Sequence, residues 1–491
     1  MVTTLNCAKI LASFTFVFMV CSATAQPEHF NWVLDGDILI DFSTGVPDVK
    51  EEPLEFSTIE AAASISDSLG NLLFYTNGVE VYNRLGEVIS EMEIPIGDTS
   101  FYKSYSQGVL ILPEYGQENK YRIVGIGRYA IVDMSMNGGL GGMANVPNWQ
   151  PFDSDVPGWS ERNVAVRHGN GRDWWIIQMR ASFNLATESW DSSFVLYLNN
   201  NNGVYVEEIF QLDLRAATSA STFRQMAISP TGSSIAIVFP TSISIYQFDR
   251  CGGLIGSEII YVDSLSNLHS CEFSPSGRYL YFNSSSAFYI GDNILYQLDL
   301  EADQFGKFAL NKIYIRSNYG TFANGQLQMG PDHKIYMTVG CKILNCDIFS
   351  ALNMNLSVIN YPDLPGLSCD FDTLGLYLGG RRTMLALPNT VNYALGPLEG
   401  SECDTLDGGS TAIPEASTLP QWQITPTVSA GWYSFNGPDH AILIVYDVWG
   451  RTVWQGSATG QRIDLSTLPT GLYLVHAQWE QKQATFRIVK Q

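Results

Sequence analysis

The chain predicts an all-β protein, a β-propeller followed by a small immunoglobulin-like β-sandwich, and three observations predict it. Residues 26–395 carry short apolar, alternating segments punctuated by Gly, Asn, Ser and Pro, without a convincing amphipathic helix. A unit of strand, tight turn and strand recurs through them at roughly 45 to 60 residues, the repeat of a four-stranded blade. The end of the chain then shows a separate set of short strands at the spacing of one small sandwich.

The clearest units are residues 223–238, 268–282 and 325–337. In the first two, Ser229-Pro-Thr-Gly232 and Ser274-Pro-Ser-Gly277 set a turn in which Pro fixes φ and Gly is free to take a positive φ. The third, Gly330-Pro-Asp-His333, puts His where the others have Gly. Looser copies lie at 62–82, 105–125 and 163–177. A seventh blade is expected from residues near 371–388 pairing with an N-terminal strand around 32–40, because closing the ring removes exposed sheet edges. Seven blades are expected, with six and eight as alternatives.

At the N-terminus, Lys9 precedes an apolar run from Ile10 to Val20, and Ala23-Thr24-Ala25 has the small-x-small pattern of a signal peptidase site. Residues 1–25 are read as a signal peptide, 26–395 as the propeller, 396–419 as a Gly/Ser/Thr/Pro linker and 420–491 as the terminal domain. The run at 10–20 is too short to span a bilayer, and no other apolar run is long enough.

Of 491 residues, 27 are basic and 49 acidic, a formal net charge of −22 that argues against nucleic acid as a partner. Without residues 1–25, six cysteines remain: Cys251, Cys271, Cys341, Cys346, Cys369 and Cys403. An even number in an exported chain suggests disulfides. Cys341 with Cys346 would close a small loop, and Cys251 with Cys271 would join neighbouring strands of one blade; the pairing stays open.

The tail carries Asp447-Val-Trp-Gly-Arg451, then Ile463-Asp-Leu-Ser-Thr-Leu-Pro-Thr-Gly-Leu-Tyr473, then Phe486-Arg-Ile-Val-Lys490. In order and spacing this set resembles the C-terminal sorting domain of type IX secretion substrates. The family's usual Pro-Asn-Pro at the domain entrance is replaced by Thr425-Pro426-Thr427. The resemblance implies handling by the type IX machinery, passage across an outer membrane and removal of the domain. It assigns the signal to Gly450, Arg451, Gly471, Tyr473 and Lys490. Residues 61–83 and 387–405 are similar to secreted bacterial WD40-like propellers of the Bacteroidetes type, which implies architecture and a surface or secreted address without an agreed activity.

Chemistry is sparse. Six histidines occur, without a nucleophile elbow, zinc-protease helix or phosphate loop. His269 and Cys271 fall on one face of an inner strand, a spacing open to a Cys–His dyad but better suited to a disulfide beside a packed His. No cofactor is implied. The pairs Asp35/Asp37, Asp153/Asp155 and Asp370/Asp372 offer oxygens for Ca²⁺ but complete no known calcium loop. Trp149, Trp159, Trp175 and Trp190 are candidate binding residues, because Trp presents a large flat face for a sugar or a protein. Adjacent Trp174 and Trp175 must point to opposite sheet faces, placing at least one in the core. The expected function is non-enzymatic recognition of an extracellular protein or glycan through propeller loops. The alternative is a polysaccharide hydrolase or lyase using carboxylates at the channel mouth, for which two close, buried carboxyls with raised pKa would speak.

Overall fold

A computed structural model describes residues 26–491 apart from 52–53, 55, 92–102, 145–148, 153–160, 185–188, 201–202, 213–223, 262–264, 287–290, 302–308, 317–320, 342–346, 405–422, 426–427, 437, 439, 448–450, 458–461, 480–481 and 491. Among these residues seven antiparallel sheets follow one another along the chain, over 31–50, 63–91, 109–151, 163–212, 226–261, 268–316 and 322–377. They are numbered here as blades 1 to 7. Blade 1 has three strands, blade 3 has five and the others have four. The first strands, Asn31–Leu34, Ala63–Ser66, Val109–Pro113, Asn163–Arg167, Met226–Ile228, Leu268–Phe273 and Phe322–Met329, pack in sequence around a common axis. This is a seven-bladed propeller.

Each blade exists because its strands alternate side chains between two apolar faces, and each face is buried against the next blade. Trp174 and Ile176 pack with Leu110 and Val124 of blade 3, whereas Trp175 and Ile177 pack with Ile235 and Ile237 of blade 5. The expected turns form as well. Gly232 and Gly277 take φ of 74° and 76°, and His333 adopts the same left-handed conformation at 61°. His333 therefore preserves the turn without its glycine.

Ring closure departs from the expected strand pairing. Phe371–Tyr377 is the outer strand of blade 7, and the N-terminal residues 31–50 form blade 1 on their own. Blade 1 is wedged between its neighbours: Trp32 and Phe42 pack on Tyr336 of blade 7, while Val33 and Leu39 share a cluster with Tyr75 of blade 2. Arg381 adds a polar clasp, donating to the Asp37 and Lys50 carbonyls at 2.7 Å each. Residues 383–395 then run along the axis. The amides of Gln326 and Asn389 bond the carbonyls of Leu385 and Ala62, and Asn389 Nδ2 bonds those of Val109 and Asn163.

The cysteine pairing is also corrected. Cys251 is bonded to Cys403 across 152 residues, and not to Cys271. Cys271 and Cys369 are free and buried, so these two disulfide candidates do not pair. Cys341 is disulfide-bonded, and Cys346 lies outside the described residues. A Cβ on Gly169 would come within 2.8 Å of the Cys251 sulfur, so glycine lets the bridge sit against blade 4. The start of the expected linker is therefore held to the propeller, with Leu398 N donating to the Gly169 carbonyl.

Residues 423–490 form two facing sheets, one of three strands and one of five, around Tyr433, Phe435, Leu443, Val445, Ile463 and Val475. Among the described residues no helix is long and apolar enough to cross a membrane.

Candidate functional site

The residues just before the inner strands converge on the axis and build a polar layer there. Ser106 Oγ lies 3.0 Å from Glu60 Oε2 and 3.1 Å from Glu161 Oε2. A hydroxyl has one proton to give, so both contacts are hydrogen bonds only if one carboxyl is itself protonated and donates back to Oγ. Burial first, and the neighbouring Glu60 charge second, hold Glu161 well above the usual carboxyl range, making it the proton's natural holder. His269 Nε2 is 3.5 Å from Glu60 Oε1, outside hydrogen-bond geometry. Gln326 bridges the layer by donating to the Glu60 and Ser106 carbonyls and accepting from Leu387 N. Arg162, fully buried beside Phe239, donates to the Val238 carbonyl at 2.5 Å, and burial lowers its pKa to about 9.

Further along the axis is a cavity of about 90 Å³, walled by the inner strands of blades 4 to 7, by residues 389–395 and by Gln26 and His29. Gln107 spans it, exchanging amide hydrogen bonds with Met226 N and O at 2.9 Å. Glu272 is the carboxyl in its wall. It accepts from Phe273 N, Met329 N and Gln328 Nε2, and burial pushes its pKa up to about 7. Burial, with a smaller contribution from His333, lowers His29 to about 4, so its ring is neutral at ordinary pH.

A third feature lies on the outside. Residues 361–369, joining the last two strands of blade 7, strap across blade 6. Tyr281 Oη donates to the Pro362 carbonyl, Gln297 binds Leu364 O and Gly366 N, and Ser276 donates to Asp363. So fastened, the strap holds Tyr361, Leu364 and Leu367 in solvent, with Leu367 77% exposed.

Of the predicted aromatic platform, the side chains of Trp149 and Trp175 lie among the described residues. Trp175 is 2% exposed and its indole N–H binds the Arg250 carbonyl, a correction that follows from both faces of its strand being covered by blades. Trp149 is half-buried against the core of blades 3 and 4. Trp159 and the side chain of Trp190 lie outside the described residues. The Cys271 thiol is raised by burial and is no nucleophile at neutral pH. Asp35 and Asp37 clamp Thr58 N and Phe56 N, Asp153/Asp155 lie outside the described residues, and Asp370 accepts from Asn360. Sequence reasoning missed Glu60, Ser106 and Glu161. Each sits two or three positions before an inner strand, so aligning the repeats by their turns would have placed them in one layer.

In the terminal domain, Asp447 N donates to the Arg451 carbonyl, Arg451 N donates to Asp447 Oδ1, and Arg451 Nε donates to Asp447 Oδ2 at 2.8 Å. Tyr473 Oη binds the Pro469 carbonyl, Gly471 opens the strand Gly471–Trp479, and Lys490 ends the strand Lys482–Lys490 that pairs with it. Gly450 lies outside the described residues.

A seven-bladed ring with a filled axis, joined to a two-sheet terminal domain, defines a modular propeller protein. Residues 432–491 match the family described as secretion system C-terminal sorting domain, so the chain is a type IX secretion cargo bound for the cell surface or the extracellular space. No curated protein matches it. Among solved structures it is similar to the periplasmic gluconolactonase of Pseudomonas aeruginosa, at 11% identity over 79% of this chain and 93% of that one, with a TM-score of 0.37. Hydrazine synthase of Kuenenia stuttgartiensis is matched at 11% identity over 78% and 94%, with a TM-score of 0.39. The Dos1 propeller is matched at 11% over 66% and 75%, with a TM-score of 0.37. Likenesses this distant say nothing of activity, and the fold rests on the seven sheets themselves.

Proposed function

We propose that this exported propeller is a non-enzymatic recognition protein that binds an extracellular protein through the strap at 361–369 and the adjoining edge of blade 7. The strap is the observation that carries the reading. Its backbone is already ordered by bonds to blade 6, so binding would cost little conformational entropy. Two of its exposed apolar side chains are aliphatic, which suits a protein surface better than the flat faces on which sugars stack. Asp363, Asp370 and Asp372 rim the patch, and a chain of net charge −22 favours a partner with a basic margin. The proposal includes cleavage of a signal peptide after Ala25, and a propeller unit that extends to the Cys403 bridge.

The test is crosslinking of the wild type and an L364D/L367D double variant to extracellular surface proteins, followed by titration with the captured partner, beside a glycan array. We expect the strap residues to carry the crosslinks and the variant to lose at least tenfold in affinity while unfolding at the same temperature. Glycan binding untouched by the variant, with no strap-dependent protein binding, would sink the reading. The polysaccharide hydrolase or lyase reading is supported by the proximity of Glu60 and Glu161. Both carboxyls are covered by the filled axis, so turnover abolished by Glu161→Gln would be needed to establish it.

A further inference from the structure

We propose that the axial cavity is a binding site for a small organic amine, whose ammonium group donates to the Glu272 carboxylate and to Asn392 Oδ1 and whose hydrocarbon stem lies along Val164, Val166, Ile228 and Leu327. The site is independent of the strap and is polar at one wall.

Three observations carry it. The cavity of about 90 Å³ has space for several waters or one small solute, since about 10–15 Å³ of such volume suffices for a water. It holds unspent acceptors. Asn392 Oδ1 and His29 Nδ1 are buried in the wall without hydrogen-bond partners, and Glu272 is bonded only to N–H donors, which leaves its oxygens spare lone pairs. Four amide donors of the wall are engaged: Asn392 Nδ2 on Pro230 O, Asn389 Nδ2 on Val109 O and Asn163 O, Gln107 Nε2 on Met226 O, and Gln328 Nε2 on Glu272. An ammonium group has donors and no acceptor, and it brings the charge that complements a carboxylate at Glu272, which a hydroxyl ligand lacks. The rest of the wall is aliphatic, so a short alkyl stem replaces water there favourably.

Binding has a proton balance. An empty site holds Glu272 partly protonated near neutral pH, and an incoming ammonium favours the carboxylate, so the Glu272 proton leaves to solvent as the cation enters. The other titratable groups facing the site are His29, neutral at ordinary pH, His333 beside it, and the Cys271 thiol, held protonated by burial. His29 and Cys271 supply no competing charge change between pH 6 and 8.

Calorimetry on the full purified chain with n-butylamine, n-butanol and butyrate as probes tests this. The amine should bind in preference to the alcohol and the acid, gain about tenfold from pH 6 to pH 7.5, and release protons in buffers of differing ionisation heat. Glu272→Gln should weaken the amine at least tenfold. Should that variant not fold, wild-type proton release and the amine-to-alcohol ratio still decide. An alcohol that binds as tightly as the amine, pH-independent amine binding, or no amine binding by folded wild-type protein would each overturn the proposal. Since the strap takes no part, loss of amine binding leaves the recognition reading standing, and L364D/L367D leaves amine binding unchanged.

Discussion

At the residue scale, the axis shows how burial turns ordinary side chains into titrating ones. Glu272 holds its proton to about pH 7 in the folded protein, against an ordinary value of 4.5. The folded state thus binds more protons than the unfolded state between those values, and stability falls as pH rises through that window. Glu272→Gln removes the effect. Chemical denaturation should show the variant gaining on the wild type by about 3 kcal/mol between pH 4 and pH 8, and parallel pH profiles would refute the assignment. None of this was legible in the sequence. Glu272 sits inside Cys271-Glu-Phe273, an apolar strand whose two faces are both buried, so alternation could not separate core from axis. Trp175 misled for a related reason: exposure is a property of the blade that arrives next, and nothing around it announces that blade.

At the element scale, the turns carried most of the information. Pro-containing turns located three blades, two through Ser-Pro-x-Gly and one through Gly-Pro-Asp-His, because Pro and a left-handed fourth residue dictate the chain reversal locally, and His333 shows the geometry outlasting the glycine. Long-range pairings had no such signal. The bridge between Cys251 and Cys403 closes a loop of 152 residues, and nearness in sequence favoured the wrong partner. A loop of that length restricts the unfolded chain strongly, a contribution of about 3–5 kcal/mol. Replacing both cysteines with serine should lower the thermal midpoint by several degrees and shrink its response to dithiothreitol, the Cys341 disulfide remaining. An unchanged midpoint would mean that the hydrogen bonds at Gly169 and Gly396 alone secure residues 396–404.

At the scale of the whole molecule, the two modules separate address from activity. Six of the seven blades were legible from repeat spacing, as was the terminal sandwich from its motif set, because both depend on turns. The manner of ring closure was not, since it rests on Arg381 and on residues 383–395 that form no regular ladder. Deleting residues 432–491 should leave the propeller folded but retained in the periplasm, measured by cell fractionation and surface protease accessibility. Surface display of the truncated chain at wild-type levels would contradict the role of the sorting domain.

The segment threaded along the axis also imposes an order of events. Asn389 reaches residues 280 and 226 positions earlier, so the contacts that complete the hub are among the most non-local in the molecule. Non-local contacts form slowly because the chain entropy between them is lost before they reward it. A nascent or partly translocated chain that ends before residue 383 has seven blades' worth of strands but no hub to lock them. The sequence thereby delays its own closure until almost the entire propeller is present in one compartment.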